Sequence, residues 1–209
     1  RRARSADELH DVLRRVGDLA AHEADLRSEG DESAAWLAQL EHERRAISVS
    51  VAGQDRFVAA EDAARYRDAL GCNVPLGLPR EFTEPVVHPL ESLVARYART
   101  HGPFVVHEVA TRFGISPDRV LGALVALEAD SKVVRGEFRP NGSGGEWCDN
   151  DVLRQLRRRS LAALRREVEP VEQIAFARFL GAWHGVGSDR PGLDALIESI
   201  ICIDLEDRI

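Results

Sequence analysis

Apolar positions along this chain follow two rhythms, a helical one and a short alternating one, and their order predicts the elements. Behind Ser5, Leu9, Val12, Leu13 and Val16 fall at helical spacing, and Ser5 with Glu8 forms a capping-box pattern. Gly17 ends that helix. Asp18 to Arg27 predicts a short second helix, and Ser33 caps a third with Trp36, Leu37 and Leu40 inward. Ile47 to Val51 then alternates strictly, Gly53-Gln54 turns, and Arg56-Phe57-Val58 returns as a second strand. Three helices followed by a hairpin predict a winged-helix module over residues 1–60.

The same order comes back. Residues 61–88 read as a linking helix (Glu61 to Leu70) and a linker in which Pro75, Pro79 and Pro85 exclude a helix. Its apolar residues, Val74, Leu76, Leu78, Phe82, Val86 and Val87, predict a segment pinned against a folded surface. Residues 89–150 then give a helix from Leu90 to Thr100, a turn at His101–Phe104 and a short helix from Val106 to Phe113. Ser116-Pro117 opens a further helix with Val120, Leu121, Leu124 and Leu127 inside. Val133–Phe138 and Glu146–Cys148 predict a hairpin around a glycine-rich tip. Over 151–209, Asp149-Asn150-Asp151 offers caps for an arginine-rich helix with Leu153, Leu156, Leu161 and Leu164 on its apolar side. Pro170 breaks it, and two shorter helices lead toward a next module. The fold class is mainly α with short β-hairpins: tandem winged-helix modules plus a helical extension.

Composition narrows the chemistry. With 209 residues, 44% hydrophobic and 30% charged, the chain can bury an ordinary core. It starts at Arg1 and has no methionine, which predicts a piece of a longer protein. A net charge of −7 argues against wholesale wrapping by nucleic acid. The distribution is uneven: residues 151–169 carry six arginines, whereas residues 170–209 carry seven acids and three arginines. Cys72, Cys148 and Cys202 are far apart without a CxxC, so free thiols and no metal site are expected, in a cytoplasmic setting. No apolar run is long enough to span a membrane.

Neither third helix suits base reading. Ser33–Arg45 shows Glu32, Gln39, Glu41 and Glu43, and Ser116–Asp130 shows one arginine (Arg119) among acids and alanines. The second wing is the better candidate for DNA. Arg135, Arg139, Asn141 and Ser143 flank glycines that admit a phosphate backbone, and Trp147 is placed either to stack on a base or to pack beneath the hairpin. In the following helix, Arg154, Arg158 and Arg165 share one stripe, able to line a backbone or to pair with the acids of 170–209. No catalytic constellation stands out, and no GxxxxGK[ST] is present.

The stretches GEFRPNGSGGEWCD and DVLRQLRRRSLAALRREVEPV, with ADELHDVLRRVGDL near the start and ARFLGAWHGVG near the end, resemble the region beyond the helicase core of large helicase-related (Lhr) proteins. These are long bacterial superfamily 2 DNA helicases. The resemblance implies a carboxy-terminal array of winged-helix modules in a protein of ATP-driven DNA unwinding and repair. ATP and Mg would belong to a motor outside this chain, with no cofactor in this segment. The expected partner is single-stranded or branched DNA, held by its backbone. Two other readings stand beside it: an oligomerisation scaffold forming a homo-oligomer, and the front of a DNA glycosylase-like winged-helix array.

Overall fold

The computed structural model describes residues 2–140, 142, 145–167 and 172–183. The first module runs α1 (Ala6–Val16), α2 (Ala21–Leu26), α3 (Ser33–His42), β1 (Ala46–Val51) and β2 (Gln54–Ala59). A 3-10 turn (Ala60–Asp62) and α4 (Ala63–Leu70) follow. The second module runs α5 (Pro89–Thr100), α6 (Val106–Phe113), α7 (Pro117–Ala129), β3 (Val133–Gly136) and β4 (Glu146–Asp149). After it come α8 (Asn150–Glu167) and α9 (Gln173–Trp183). Each hairpin is antiparallel, with Ser48 opposite Phe57 and Arg135 opposite Trp147. The mainly α architecture with two short hairpins is thus as expected.

Local chemistry accounts for the boundaries. The Ser5 hydroxyl accepts from the Glu8 amide at 3.2 Å and so starts α1, while Gly17, at φ 101°, ends it. Gly114, in the left-handed region at φ 64°, ends α6. Pro117 occupies the first position of α7, where its missing N–H costs nothing. Asp149 caps α8, its Oδ1 accepting from the Asp151 and Val152 amides at 2.8 and 3.1 Å.

The second helix starts later than the pattern predicts. Leu19 exchanges two backbone hydrogen bonds with Phe57, at 2.9 and 2.8 Å, so the chain there is a strand-like third member beside β2. Phe104 does the same with Trp147, at 2.9 and 2.8 Å. The equivalence reaches the sequence. Gly17-Asp18-Leu19-Ala20-Ala21-His22-Glu23 and Gly102-Pro103-Phe104-Val105-Val106-His107-Glu108 share Gly, His and Glu in register. Glu23 accepts from the Ala20 amide at 2.9 Å and Glu108 from the Val105 amide at 3.2 Å, each securing the start of its helix.

The two modules share a core. Leu9, Leu13, Leu19, Ala24, Leu37 and Leu40 form a cluster inside the first module. A larger cluster joins Ile47, Val49, Val51 and Val58 of the first hairpin to Leu93, Val94, Phe113, Leu124 and Trp147 of the second module. One face of the first hairpin is therefore covered by the second module, while Ser48, Ser50 and Asp55 on the other face stay exposed. Its turn, Ala52-Gly53, has two consecutive positive φ values of 53° and 74°, as a two-residue hairpin turn requires. A Cβ placed on Gly114 would come within 2.9 Å of Ala52 Cα, so the wing tip lies directly on the end of α6.

Two apolar expectations are corrected. In the linker, Val74, Leu78 and Phe82 do pack on the core, but Leu76 and Val87 are 99% and 80% exposed. On α7, Leu121 and Val125 face outward while Ala123 is buried, because contact with α5, α6 and β3 turns the helix onto Val120, Ala123, Leu124 and Leu127. By compactness the chain divides within α8, into Arg1–Arg158 and Arg159–Ile209. In the second unit Leu161, Leu164, Phe176 and Phe179 are exposed.

Candidate nucleic-acid interface

The second hairpin is built around a buried acid. Glu146 has no exposed surface and accepts from the Phe138 and Arg139 amides at 2.7 and 3.0 Å as well as from the Arg139 guanidinium. Arg139 and these amides hold its carboxyl below the usual carboxylate range. This arrangement fixes the descending arm of the wing. Arg139 is anchored there and also faces Glu108 at 3.5 Å, yet 43% of its side chain stays open to solvent. Arg135 is exposed, with its guanidinium carbon 6.0 Å from the Trp147 ring centroid. Asn141 and Ser143 lie outside the described residues.

Trp147 belongs to the core. At 2% exposure, bridged to Phe104 and packed among the shared cluster, its ring has no free face for a base. Stacking is therefore withdrawn from its role, and its visible contribution is to support Arg135 from below.

Along α8, Arg154 pairs with Asp151 one turn earlier and is 71% exposed. Arg158 and Arg165 are exposed and make no ion pair with another described residue. Most of the acids of 170–209 lie outside the described residues.

The other DNA-facing elements of a winged helix are otherwise engaged. The first wing is covered by the second module. In α3 and just before it the exposed positions include Glu32, Gln39 and Glu41. Arg119 at the start of α7, expected to be free, donates to the Ala69 carbonyl at 2.7 Å.

Sequence reasoning missed the polar clasp between the modules. Asp18 accepts from Arg56 at 2.9 Å and from the Tyr66 hydroxyl at 3.1 Å, and its carboxylate forms an ion pair with Arg112 at 2.9 Å. Glu23 takes Arg112 in a fork at 2.8 and 3.1 Å, with Arg56 at 3.3 Å. Arg112 also donates to the Asp18 carbonyl at 2.7 Å. Burial alone would raise the Glu23 carboxyl, but the Arg112 hydrogen bonds, the Ala20 amide and the charges of Arg112 and Arg56 bring it down to about 2. Burial and the facing Asp18 push the Tyr66 phenol well above its ordinary range. Two arginines and two carboxylates thus close a balanced network. The one available signal was the repeated Gly-x-x-x-x-His-Glu segment, which marks Glu23 but not its partner Arg112.

Among the described residues no helix is long and apolar enough to cross a membrane, and no group of His, Cys, Asp or Glu is arranged to hold a metal ion. Cys72 and Cys148 are buried free thiols, both raised by burial.

Residues 1–85 match the family model for the winged-helix domain of large helicase-related proteins. Over 94% of its length the chain is 45% identical to the "Lhr helicase/ probable uracil glycosylase" of Mycolicibacterium smegmatis, covering 13% of that protein. It is 33% identical, over 95% of its length, to the "Lhr helicase/uracil glycosylase" of Escherichia coli, again covering 13% of it. Similarity that runs through nearly the whole chain, with a winged-helix match in the module where the fold also shows one, makes this a segment of the large helicase-related (Lhr) family.

Proposed function

We propose that this segment is a cytoplasmic, DNA-holding part of a helicase involved in DNA repair, gripping single-stranded or branched DNA by its phosphates with little regard for base sequence. ATP, Mg and the work of unwinding would belong to a motor elsewhere in the protein. The observation that carries the reading is the contrast in arginine use. Arg56 and Arg112 in the module interior are matched by carboxylates, whereas Arg158 and Arg165 on α8 stand exposed without a described acid. On the second hairpin, Arg135 is exposed and Arg139 half-open, two further cations offered to solvent. Cations offered to solvent along one helix suit a polyanion.

The test is the salt dependence of binding. Replacing Arg154, Arg158 and Arg165 by glutamine should flatten the log–log salt slope for a single strand by roughly 2, at about 0.7 per phosphate contact. An unchanged slope with a lowered melting temperature would instead mean that these arginines pair internally, and would remove α8 from the interface.

A second reading is favoured by the names of the two relatives, both of which include uracil glycosylase. In it, the segment presents DNA to base-excision chemistry carried by residues outside this chain. A longer form of the protein should then release uracil from DNA, and release should fall when α8 loses its arginines. The scaffold reading rests on outward Leu121 and Val125 of α7. Light scattering on the isolated chain tests it, a monomeric mass counting against it.

A further inference from the structure

Arginines gather a second time where the end of α1, the 3-10 turn and α4 meet α5 of the second module. Arg14, Arg15, Arg65 and Arg96 line a cleft there together with Asp11, Glu61 and Asp62. Asp62 is 4% exposed and meets both Arg65 and Arg96, the latter through two hydrogen bonds, so one negative charge faces two guanidinium groups. Arg14 is balanced by Glu61 at 2.9 Å, and Glu61 also faces His10 at 3.4 Å. Arg15 is exposed and makes no ion pair with a described residue, and Arg99, one turn beyond Arg96 on α5, is in the same position. Four arginines against three carboxylates line the cleft, and Arg99 beside it is close enough for its charge to act on Arg65, so positive charge is in surplus.

Arg65 registers that surplus. Burial, and then the neighbouring charges of Arg96 and Arg99, push its guanidinium below its ordinary range. Its Nε is buried with no hydrogen-bond acceptor among the described residues. A guanidinium crowded by like charges, sharing one carboxylate with a second arginine, is stabilised by an added anion, and planar forks of this kind match phosphate oxygens.

We propose that this inter-module cleft is a phosphate-binding site, and that the phosphate is a backbone phosphodiester of bound DNA. The inference rests on the DNA-holding reading above and adds a second contact, separate from the hairpin and α8. Because α1 comes from the first module and α5 from the second, the site exists only while the modules are docked.

The test uses the whole chain and an Arg15→Gln/Arg99→Gln double variant, chosen because both side chains are exposed and neither holds Asp62. A fluorescein-labelled single strand is titrated by anisotropy across a series of sodium chloride concentrations. Inorganic phosphate is titrated separately against the melting temperature at matched ionic strength. The expected result is a log–log salt slope shallower by about 1.4 in the double variant, two contacts at about 0.7 each. Phosphate should raise the melting temperature of the parent chain but not of the variant. An Arg15→Lys/Arg99→Lys form should restore most of the slope, which a purely structural role would not predict. If the parent binds the strand and the double variant keeps its slope, the cleft is overturned while the DNA-holding reading stands. If the parent binds no strand, that reading and the DNA source of the phosphate both fail. A phosphate-dependent rise in melting temperature, lost in the variant, would then assign the cleft to a free phosphate compound, and no rise would overturn the site altogether.

Discussion

Leu124 and Arg119 sit five residues apart on α7 and do opposite work. Leu124 has no exposed surface and belongs to the core that both modules share. Truncating it to alanine should cost about 2–5 kcal/mol, through lost burial and the cavity left behind. Arg119 is exposed, yet it donates to the Ala69 carbonyl at the last turn of α4, so it is a tie between helices. Its replacement by alanine should cost about 0.5–1.5 kcal/mol, the ordinary worth of one hydrogen bond, and not the smaller loss expected of a free surface residue. Urea midpoints measured on both variants check the pair. A loss for Leu124→Ala no larger than that for Arg119→Ala would mean the face of α7 has been wrongly assigned.

At the scale of elements, the first wing has become a structural part. Winged helices reach for DNA with a hairpin tip, but here the tip rests on α6, with Ala52 against Gly114. Small residues on both sides allow the approach, and a side chain at Gly114 meets two obstacles at once, positive φ and the Ala52 backbone. Gly114→Ala should therefore destabilise by more than the roughly 1 kcal/mol of left-handed strain alone, read again as a shift in urea midpoint. Elements with local signals were legible in the sequence: Ser5 with Glu8, Gly114 as a stop, Pro117 as a start, and strict alternation from Ile47 to Val51. What failed was decided by neighbours far along the chain. Leu121 looks like a core residue by spacing and faces outward, and Leu19 looks helical and lies beside Phe57. The candidate site divides in the same way. Arg135, Arg139 and the α8 arginines could be picked out as a run of charge, whereas the burial of Trp147 depends on its bridge to Phe104, and the cleft around Arg65 is assembled from three separate helices.

For the molecule as a whole, the clasp of Asp18, Glu23, Arg56 and Arg112 ties acid stability to module docking. The Glu23 carboxyl is held near a pKa of about 2 in the folded chain, below the ordinary value near 4.3 of an unfolded one. Between those values the unfolded chain binds more protons, so this contribution to stability is full above about pH 5 and is lost as the pH falls toward 2. Glu23→Gln should lower stability at neutral pH by roughly 1.5–3 kcal/mol, the range for hydrogen bonds to charged groups, and should make the fall between about pH 5 and 2 shallower. Melting temperatures of parent and variant at several pH values would show it, and parallel curves would exclude Glu23 as the group responsible. The same clasp separates two kinds of boundary. A winged-helix domain is recognisable by sequence up to residue 85, yet Arg112 comes later and the apolar face of β1 is covered by residues after Pro89. Cutting the chain at the edge of its sequence family would strip a hairpin of its cover and a carboxylate pair of half its counter-charge. What heredity copies as one domain is, for thermodynamics, an incomplete piece: the smallest cooperative unit here is the pair.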